Sequence, residues 1–368
     1  MLKAYKYRIY PSKEQEIYFQ KTFGCTRFIY NKMLSDRIKS YEENKDLDIK
    51  SIKYPTPANY KKEFEWLKEV DSLALANAQM NLDKAYKNFF RDKSVGFPKF
   101  KSKKNNNKSY TTNNQVSKSM PNGTITIENN KIKLPKLKSM VKIKQHRVFI
   151  GLIKSCTISQ KPSGKYFISM LVDTENKQLP INNNKVGIDL GIKEFAITSD
   201  GEFFSNPKLL KKSEKKLTKA QNNLSRKKKG SNNRNKARLK VAKIQEKIAN
   251  QRKDFLHKLS NYITNENQVI VIEDLKVSNM IKNHKLAKSI SDVSWFEFRR
   301  QLEYKCNWKG RELIIAPSNY ASSQLCSNCG NKSSQTKDLS CRTYICPKCG
   351  MIMDRDINAS KNLLKLAM

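Results

Sequence analysis

The chain has 368 residues, with 73 Lys and Arg against 33 Asp and Glu, which gives a formal net charge of +40. A charge of this size repels itself in a compact protein and therefore calls for a polyanionic partner. Because the basic residues run along the whole chain, the composition favours a protein that wraps a long stretch of nucleic acid through counterion release. A ribosomal-type or chromatin-type binder that performs no chemistry fits the composition equally well.

Apolar runs and cysteine positions indicate the cellular compartment of the protein. No apolar run approaches the roughly 20 residues that a membrane-spanning helix needs, and the N-terminus lacks the apolar stretch of a signal peptide. Five of the eight cysteines lie between Cys326 and Cys349, whereas a secreted disulfide scaffold would spread them more evenly. We therefore expect a cytoplasmic protein without membrane contact, nucleoid-associated when bound to DNA, whose clustered cysteines hold a metal.

The first half of the chain has the pattern of strands that flank a helical insertion. Residues 2–10 alternate as a strand does, and the spacing of Ser12 and Gln15 is that of a helix capping box. Helical sequence follows, with breaks, to about Arg91. Its clearest part has apolar residues on one face of a helix, namely Leu75, Ala78, Leu82, Ala85 and Phe89.

Beyond this helical region the pattern changes to short strands. The polar run 103–114 predicts a loop. Strands are predicted at 124–127, 141–144, 156–160 and 166–172. Strands before and after the helices predict a small β-barrel that a helical domain interrupts, and residues 176–184 have the composition of a polar linker.

From residue 186 the pattern becomes that of an α/β domain. Apolar strands are predicted at 186–190, 195–198, 269–272 and 313–316. Between the second and the third of these, residues 208–262 predict long, very basic helices with a break near Gly230. A run of positive charge usually marks a solvated helix face, and a nucleic-acid contact is the alternative for each lysine.

Three carboxylates stand out in this basic chain. Asp189 lies inside an apolar strand that Gly191 ends, Glu273 follows a strand of four β-branched residues, and Asp356 lies at the start of the C-terminal helix. Buried carboxylates are costly unless they are paired or bind a metal. Three of them from distant parts of the sequence are what a Mg²⁺-dependent hydrolase needs. In such sites two ions about 4 Å apart activate the attacking water and stabilise the leaving oxygen.

Two ambiguities remain at this level. Asp274 follows Glu273, and because adjacent strand residues face opposite ways, only one of the two can face a site. Asp354 and Asp356 lie two positions apart, and spacing does not choose between them. For each acid taken alone, the alternative is an ordinary strand-end or helix-capping carboxylate.

The cysteine cluster predicts a zinc ribbon. Cys326 and Cys329 form one C-x-x-C pair, Cys346 and Cys349 form another, and the 16 residues 330–345 separate them. This spacing lies within the range of zinc ribbons, and four thiolates make a closed, structural zinc site. Cys341 lies outside the pairs. The ribbon is inserted between Glu273 and Asp356, where it could contact the nucleic-acid substrate.

These motifs resemble the TnpB family, and the resemblance spans essentially the whole chain. It is carried by residues 7–11 (YRIYP), 97–101 (FPKFK), 187–193 (GIDLGIK), 272–275 (IEDL), 294–305 (SWFEFRRQLEYK), 356–359 (DINA) and the two cysteine pairs. Ser360 departs from the family, which usually has a second alanine there.

The resemblance implies an α/β multidomain fold. A wedge β-barrel of the oligonucleotide-binding kind, with a helical recognition insertion, precedes a RuvC/RNase H-like nuclease domain with a zinc-ribbon insertion. The implied boundaries are 1–10 and 96–180 for the barrel, 11–95 for the recognition insertion, 181–318 for the nuclease domain, 319–350 for the ribbon and 351–368 for the C-terminal nuclease helix.

The resemblance also implies a function. TnpB proteins are transposon-encoded, RNA-guided DNA endonucleases. They bind a guide RNA made from the transposon end, recognise a short motif beside the target, and cut both strands of double-stranded DNA with one RuvC site. We expect the same partners here, with one protein chain in the ribonucleoprotein.

Site residues follow from the family pattern. The third catalytic acid precedes x-Asn-Ala, which selects Asp356, while Asp189 and Glu273 match the first two. These acids are expected to hold two Mg²⁺ ions, or Mn²⁺ in their place, and the four paired cysteines to hold Zn²⁺. Residues 276–291 match the lid over the catalytic site. Candidates for reading the target-adjacent motif, by location alone and with surface structural roles as the alternative, are Tyr54, Asn77 and Gln79.

Two other functions share these features. A transposase that joins DNA ends with an RNase H-like fold would have the same acids and metals. A non-catalytic nucleic-acid binder explains the charge and the ribbon but leaves three carboxylates unexplained. The full set of acids also argues against nuclease-dead relatives that act as RNA-guided repressors.

Overall fold

The computed structural model describes residues 1–44, 54–92, 94–104, 108–176, 178–334, 336 and 340–367. The chain divides into two compact units, Met1–Glu175 and Asn176–Met368. Each unit combines helices with a β-sheet, so the mixed α/β class that the sequence predicts is confirmed. Within the described residues, no helix combines the length and apolarity that crossing a bilayer requires.

An antiparallel sheet of seven strands is the core of the first unit. Its strands are β1 (Leu2–Tyr10), β2 (Lys108–Asn113), β3 (Ile127–Glu128), β4 (Lys131–Ile132), β5 (Val141–Lys144), β6 (Leu152–Gln160) and β7 (Tyr166–Asp173). They are arranged in the order β2-β6-β7-β1-β5-β4-β3. In the described part of this unit the edge strands β2 and β3 are not hydrogen-bonded to each other, so closure into a barrel stays a prediction.

In the described residues between β1 and β2 lie three α-helices, α1 (Lys13–Glu43), α2 (Pro57–Glu63) and α3 (Ser72–Arg91), and a short 3-10 helix (Glu65–Glu69). The predicted capping box begins α1, where Ser12 N donates to Gln15 Oε1 at 3.0 Å and Gln15 N donates to Ser12 Oγ at 3.3 Å. The predicted apolar face of α3 is buried at Leu75, Ala78 and Leu82. It packs against α1 in a separate helical core.

Two predictions for this unit are wrong. The loop predicted at 103–114 contains β2, which pairs with β6 and buries Tyr110 and Thr112 on alternate positions. Most of this strand is polar, so its pairing with β6 decides its conformation. The strand predicted at 124–127 is displaced: its first three residues lie outside any strand, and a short β3–β4 hairpin spans 127–132. The two turn residues of this hairpin, Asn129 and Asn130, both have positive φ, as a type I′ turn requires.

The second unit has a five-stranded sheet and six helices in its described part. The strands are β8 (Lys185–Leu190), β9 (Glu194–Thr198), β10 (Phe203–Ser205), β11 (Val269–Ile272) and β12 (Glu312–Ile315). The helices are α4 (Leu209–Ser225), α5 (Asn232–Glu266), α6 (Val277–Met280), α7 (Ala287–Val293), α8 (Trp295–Lys309) and α9 (Arg355–Leu364). The predicted basic helices with a break near Gly230 are α4 and α5, whereas β10 was not predicted.

The strand order in this sheet is β10-β9-β8-β11-β12. Strands β8, β11 and β12 are parallel, while β9 is antiparallel to both of its neighbours. Ile270 and Ile272 belong to the core that α5 and α8 cover, and Val271 belongs to a second core that contains Leu363 of α9. Because side chains alternate along a strand, α5 and α8 cover one face of the sheet and α9 the other.

Gly187 on β8 allows α9 to pack closely. A Cβ atom at this position would lie 2.0 Å from the carbonyl oxygen of Ser360 and 2.5 Å from the nitrogen of Leu364. Ser360 is fully buried, and its hydroxyl donates to the carbonyl of Ile357 at 2.8 Å inside the same helix. The departure from alanine at position 360 therefore leaves no polar group of this side chain unsatisfied.

Candidate active site and cysteine cluster

The two parallel strands β8 and β11 bring Asp189 and Glu273 together. Ile188 lies opposite Ile272 in this pair, so the next residue along each chain is Asp189 or Glu273. Sites in α/β sheets form at the carboxyl ends of parallel strands. By alternation with Ile188 and Ile272, both acids fall on the face of the sheet that α9 covers.

Asp274 has a different environment. Its Oδ1 accepts a hydrogen bond from Arg299 Nη1 at 2.5 Å, and Arg299 also donates from Nε to Glu303 at 3.0 Å. Arg299 and Glu303 belong to α8, which covers the opposite face of the sheet. Of the two adjacent acids, Glu273 is therefore the one that shares a face with Asp189.

Asp354 and Asp356 have different roles in the structure. Asp354 is the N-cap of α9, and its Oδ1 accepts hydrogen bonds from the backbone nitrogens of Asp356 at 2.9 Å and Ile357 at 3.1 Å. This is the usual role of an N-cap aspartate. The side chain of Asp356 lies in the first turn of α9 and lines a cavity with Asp189 and Glu273.

This cavity has a volume of about 850 Å³ and mixed charge. Besides the three acids predicted from the sequence, its lining includes six basic residues: Lys193, Lys208, Lys211, Lys288, Arg342 and Arg355. A cavity lined by both carboxylates and cations can hold a divalent metal and an anionic substrate together. Its size is that of a ligand-binding cleft.

Burial and neighbouring negative charges disfavour the ionised form of two of the acids, Asp189 and Asp356. Burial, followed by the charge of Glu273 and that of Asp356, raises the pKa of Asp189 well above its usual range. Burial, followed by the charge of Asp354, raises the pKa of Asp356, although Arg342, Arg355 and Lys193 act against this shift. A divalent cation among these oxygens would relieve the repulsion, and an all-oxygen ligand set suits Mg²⁺ or Mn²⁺.

Ser322 is a site residue that sequence reasoning missed. It is buried, and its hydroxyl donates to Glu273 Oε1 at 3.0 Å, which orients the carboxylate. Such outer partners fix the position of metal-binding side chains. The separation of 49 positions between Ser322 and Glu273 explains why no local pattern in the sequence indicates the contact.

The region that matches the lid, residues 276–291, contains α6 and the first part of α7. Lys288 and Ser289 line the cavity, and Lys288 forms an ion pair with Glu214 of α4. Asp292, just beyond this region, accepts hydrogen bonds from Leu210 N at 3.0 Å and Arg252 Nη2 at 2.5 Å. Helix α7 is thereby attached to both α4 and α5.

The four predicted cysteines form one cluster. The sulfur atoms of Cys326, Cys329, Cys346 and Cys349 all lie within 4.8 Å of one another. Within the described part of the chain, this is the one group of three or more His, Cys, Asp or Glu residues that is compact enough to hold a metal; the three carboxylates line their cavity without forming such a group. Four cysteine sulfurs can bind zinc tetrahedrally.

The glycine after each cysteine pair completes a tight turn. Gly330 N donates to Cys326 O at 2.9 Å, and Gly350 N donates to Cys346 O at 3.0 Å. Both glycines have left-handed φ angles, 72° and 70°. Glycine adopts this conformation without the steric cost that a side chain would bring.

A small hairpin connects the cysteine cluster to α9. Strands β13 (Thr343–Ile345) and β14 (Ile352–Asp354) pair antiparallel around the turn that contains Cys346 and Cys349, and β14 runs directly into α9. On α9, the buried Asn358 donates to Leu325 O at 2.7 Å and accepts from Ser327 N at 2.8 Å. The helix that carries Asp356 is therefore bonded to the first cysteine pair.

The candidates for motif reading lie in the first unit. Tyr54 packs against Arg37, with 5.1 Å between the guanidinium carbon and the ring centroid. Asn77 Nδ2 donates to Leu73 O at 2.8 Å within α3, and Gln79 is half-buried on the same helix. Tyr54 and Asn77 thus have structural partners, and the role of all three in recognising nucleic acid stays a prediction.

Three family models match parts of the chain. They are a model described as "Probable transposase" of the OrfB_IS605 type at residues 167–284, "Cas12f1-like, TNB domain" at 295–363 and "Helix-turn-helix domain" at 1–46. Over the described residues of the last match, the structure has strand β1 followed by the single helix α1.

Relatives match over nearly the whole chain. A Streptomyces pristinaespiralis protein named "Putative RNA-guided DNA endonuclease" is 38% identical over 366 residues, which cover 98% of this chain and 88% of that protein. The Escherichia coli K12 protein "Putative RNA-guided DNA endonuclease InsQ" is 34% identical, with 99% and 92% covered. "TnpB-like protein L770" of Acanthamoeba polyphaga mimivirus is 28% identical over 62% of this chain and 46% of its own length.

A solved structure described as "Cryo-EM structure of the Cas12f1-sgRNA-target DNA complex" has the same fold. The match has a TM-score of 0.63 at 14% sequence identity and covers 99% of this chain and 98% of that one. The sequence matches are strong enough to decide the family that the motifs indicate: the chain belongs to the TnpB family.

Proposed function

We propose that this protein is an RNA-guided DNA endonuclease that hydrolyses phosphodiester bonds in both strands of a target DNA at the cavity of Asp189, Glu273 and Asp356. The observation that carries the proposal is the convergence of these acids from β8, the end of β11 and the start of α9 on one cavity. Two relatives of nearly full coverage whose names describe RNA-guided DNA endonucleases support it.

Asp189, Glu273 and Asp356 are the residues that would hold two Mg²⁺ ions, or Mn²⁺ in their place. When bound, such ions activate water for attack on phosphorus and neutralise charge on the phosphate. The side chain of Ser322 keeps Glu273 oriented, and the basic residues of the cavity attract the DNA backbone. The raised pKa of Asp189, which burial and the charges of Glu273 and Asp356 cause, supports this role, because a divalent cation is stabilised where carboxylates crowd together.

The four clustered cysteines hold Zn²⁺ in a closed, structural site. This part of the proposal is supported by the compactness of the four sulfur atoms and by the turn formed at each pair. Because no ligand position stays open in a four-cysteine site, the zinc stabilises the ribbon and takes no part in hydrolysis.

The remaining domain roles follow from family membership. A wedge barrel at 1–10 and 96–180 and a recognition insertion at 11–95 bind the guide RNA and read the target-adjacent motif, with Tyr54, Asn77 and Gln79 as candidates. The nuclease domain comprises 181–318 and 351–368, with the ribbon at 319–350. One chain binds one guide RNA, and the net charge of +40 supports this extended contact with nucleic acid.

Substitution of the acids tests the cleavage site. Asp189→Ala, Glu273→Ala and Asp356→Ala should each abolish Mg²⁺-dependent cleavage while RNA-dependent DNA binding remains. Asp354→Asn keeps a capping side chain and is the matched control for Asp356→Asn. Cleavage that survives in Asp356→Asn but is lost in Asp354→Asn would contradict the assignment.

Sequencing of the bound RNA tests guidance. The chain is expressed with its native flanking DNA and purified without nuclease treatment, and the RNA that copurifies is sequenced. One defined RNA from the adjacent transposon end is expected, and it permits a direct cleavage assay. A heterogeneous mixture of cellular RNA would contradict guidance, and strand transfer without RNA would favour the transposase that one family-model description names.

A further inference from the structure

Phe296 is an exposed aromatic residue near the candidate active site. It lies in the first turn of α8, and 71% of the residue is exposed. The preceding residue, Trp295, is only 3% exposed and belongs to the core of the second unit, so this turn has a fixed position. Single exposed apolar residues are common on protein surfaces, and the meaning of this one depends on what surrounds it.

Phe296 lines a second cavity, here called the side cavity, whose apolar lining includes Ile272, Leu275 and Val277. Its volume is about 240 Å³, compared with about 850 Å³ for the cavity of the three acids. This volume lies below the usual range for a whole small-molecule ligand and therefore suits one part of a nucleotide.

The side cavity adjoins the cavity of the three acids. Leu190, Glu273 and Trp295 line both cavities. A DNA strand whose phosphate lies at the acids therefore has its neighbouring bases within reach of the side cavity. The two cavities together offer a place for a phosphate and a place for a base of the same strand.

The cations of the side cavity are paired with carboxylates of the same unit. Arg299 donates to Asp274 at 2.5 Å and to Glu303 at 3.0 Å. Arg300 donates from Nε and Nη2 to the two carboxylate oxygens of Glu297, at 2.8 Å each. This pairing offsets the positive charge that would attract a phosphate. A neutral, planar group fits such a wall better, because it can contact the apolar side chains and stack on a ring or a guanidinium.

We infer that Phe296 and the side cavity bind one unpaired nucleobase of the DNA strand that is being cut, at a nucleotide next to the scissile phosphate. The inference rests on the proposed function. The ring of Phe296 stacks on the face of the base and thereby holds the strand while its phosphate lies at the acids. Phe296 is in this sense a substrate-positioning residue, and no bond forms or breaks at it.

The base must be unpaired for this contact. Inside a duplex both faces of a base are covered by its neighbours, so a protein ring reaches a face only when the base leaves the stack. Pairing of a guide RNA with one DNA strand leaves the other strand, here called the displaced strand, without its partner. The side cavity therefore favours a separated strand over an intact duplex as the substrate at the acids.

The first test is single-turnover cleavage of the displaced strand by the ribonucleoprotein, after its cut position has been mapped. Phe296→Ala should slow cleavage by about 5- to 150-fold, the effect of losing one stacked base. Phe296→Leu, which is apolar but has no ring, should also be slow, whereas Phe296→Trp should retain most of the rate. Phe203→Ala is the matched control, because it removes an exposed ring from β10, outside both cavities, and it should cut normally.

An abasic nucleotide distinguishes a base contact from a structural role of Phe296. Placed beside the cut in the displaced strand, it leaves the pairing of guide and target intact. On one side of the cut it should slow the wild type about as much as Phe296→Ala does, and it should slow Phe296→Ala no further. The fluorescent base 2-aminopurine at that position should be brighter in Asp189→Ala/Phe296→Ala than in Asp189→Ala, since stacking on a ring quenches it.

Two results would overturn the inference while the wild type cuts DNA normally. One is an unchanged cleavage rate in Phe296→Ala and Phe296→Leu. The other is an abasic nucleotide that slows wild type and Phe296→Ala by the same factor on both sides of the cut, which would make Phe296 a structural residue. A wild-type complex that cuts no DNA contradicts the proposed function itself, and the inference fails with it.

Discussion

Asn358 on α9 binds the main chain on both sides of Cys326 through one side-chain amide. Its Nδ2 donates to Leu325 O at 2.7 Å, and its Oδ1 accepts from Ser327 N at 2.8 Å. Asn358 is fully buried and lies two positions after Asp356. The first cysteine pair and the third acid are therefore parts of one hydrogen-bonded assembly, so damage to either should be detectable at the other.

Asn358→Ala should destabilise the second unit and reduce cleavage. The substitution leaves Ser327 N without its acceptor and removes one of the two side-chain amides that donate to Leu325 O, the other being that of Asn362. The expected cost is about 1–3 kcal/mol in the free energy of unfolding. Urea unfolding measures the loss. Ser360→Ala on the same helix is the control and should cost less than about 1 kcal/mol, because its hydroxyl donates to the carbonyl of Ile357 within α9 itself. Equal effects of the two substitutions would contradict the role given to Asn358.

Loss of zinc should disrupt the ribbon and the position of Asp356 together. We expect Cys329→Ser to lower the zinc content, as measured by atomic emission, and to abolish cleavage, because structural zinc contributes the folding energy of such modules. Cys341→Ser, outside the cluster, should keep its zinc and its activity. A Cys329→Ser protein with full activity and stability would rule out the closed four-cysteine site.

Asp189→Asn should stabilise the metal-free protein at neutral pH. Burial and the charges of Glu273 and Asp356 raise the pKa of Asp189 in the folded state. Ionising this carboxyl therefore costs more in the folded protein than in the unfolded chain. Stability of the metal-free wild type should fall as the pH rises from the unfolded-state pKa of about 4 through the folded-state value. The asparagine variant carries no charge at this position and avoids that loss.

Thermal unfolding in buffer without magnesium, at a series of pH values, measures this difference. The melting temperature of the Asp189→Asn variant should also depend less on pH than that of the wild type. Added Mg²⁺ should raise the melting temperature of the wild type more than that of the variant, because a ligand of the folded state stabilises according to its affinity. A variant that is less stable than the wild type without metal would refute the repulsion among the acids.

Gly187→Ala should displace α9. The added Cβ would lie 2.0 Å from Ser360 O, a backbone atom that cannot move without the helix. We expect the free energy of unfolding to fall by about 1–3 kcal/mol, as is typical of overpacking. Cleavage should also be reduced, because α9 carries Asp356. Gly24→Ala in α1 is the control, because nothing lies within 4 Å of its Cβ position. Alanine loses less conformational entropy in a helix than glycine does, so the free energy of unfolding should rise by about 0.5–1 kcal/mol. An unchanged free energy of unfolding in Gly187→Ala would contradict the close packing of β8 against α9.

The sequence by itself determined the helices, strands and cysteine pairs whose residue patterns extend over only a few positions. The Ser12–Gln15 capping box, the apolar face of α3 and the β-branched run of β11 each depend on neighbours within a few positions. The cysteine spacing is local in the same sense, and it identified the four residues that cluster. The family motifs added the membership that the comparisons confirm.

The tertiary structure decided what depends on distant partners. Strand β2 forms in a polar run because β6 supplies its hydrogen bonds. Glu273 and Asp274 are adjacent in sequence, but Arg299 on α8 binds the second of them, and capping of α9 occupies Asp354. Ser322 and Asn358 bind groups whose positions only folding determines. A side chain's partner is set by the path of the chain in space, which local propensity and spacing do not encode.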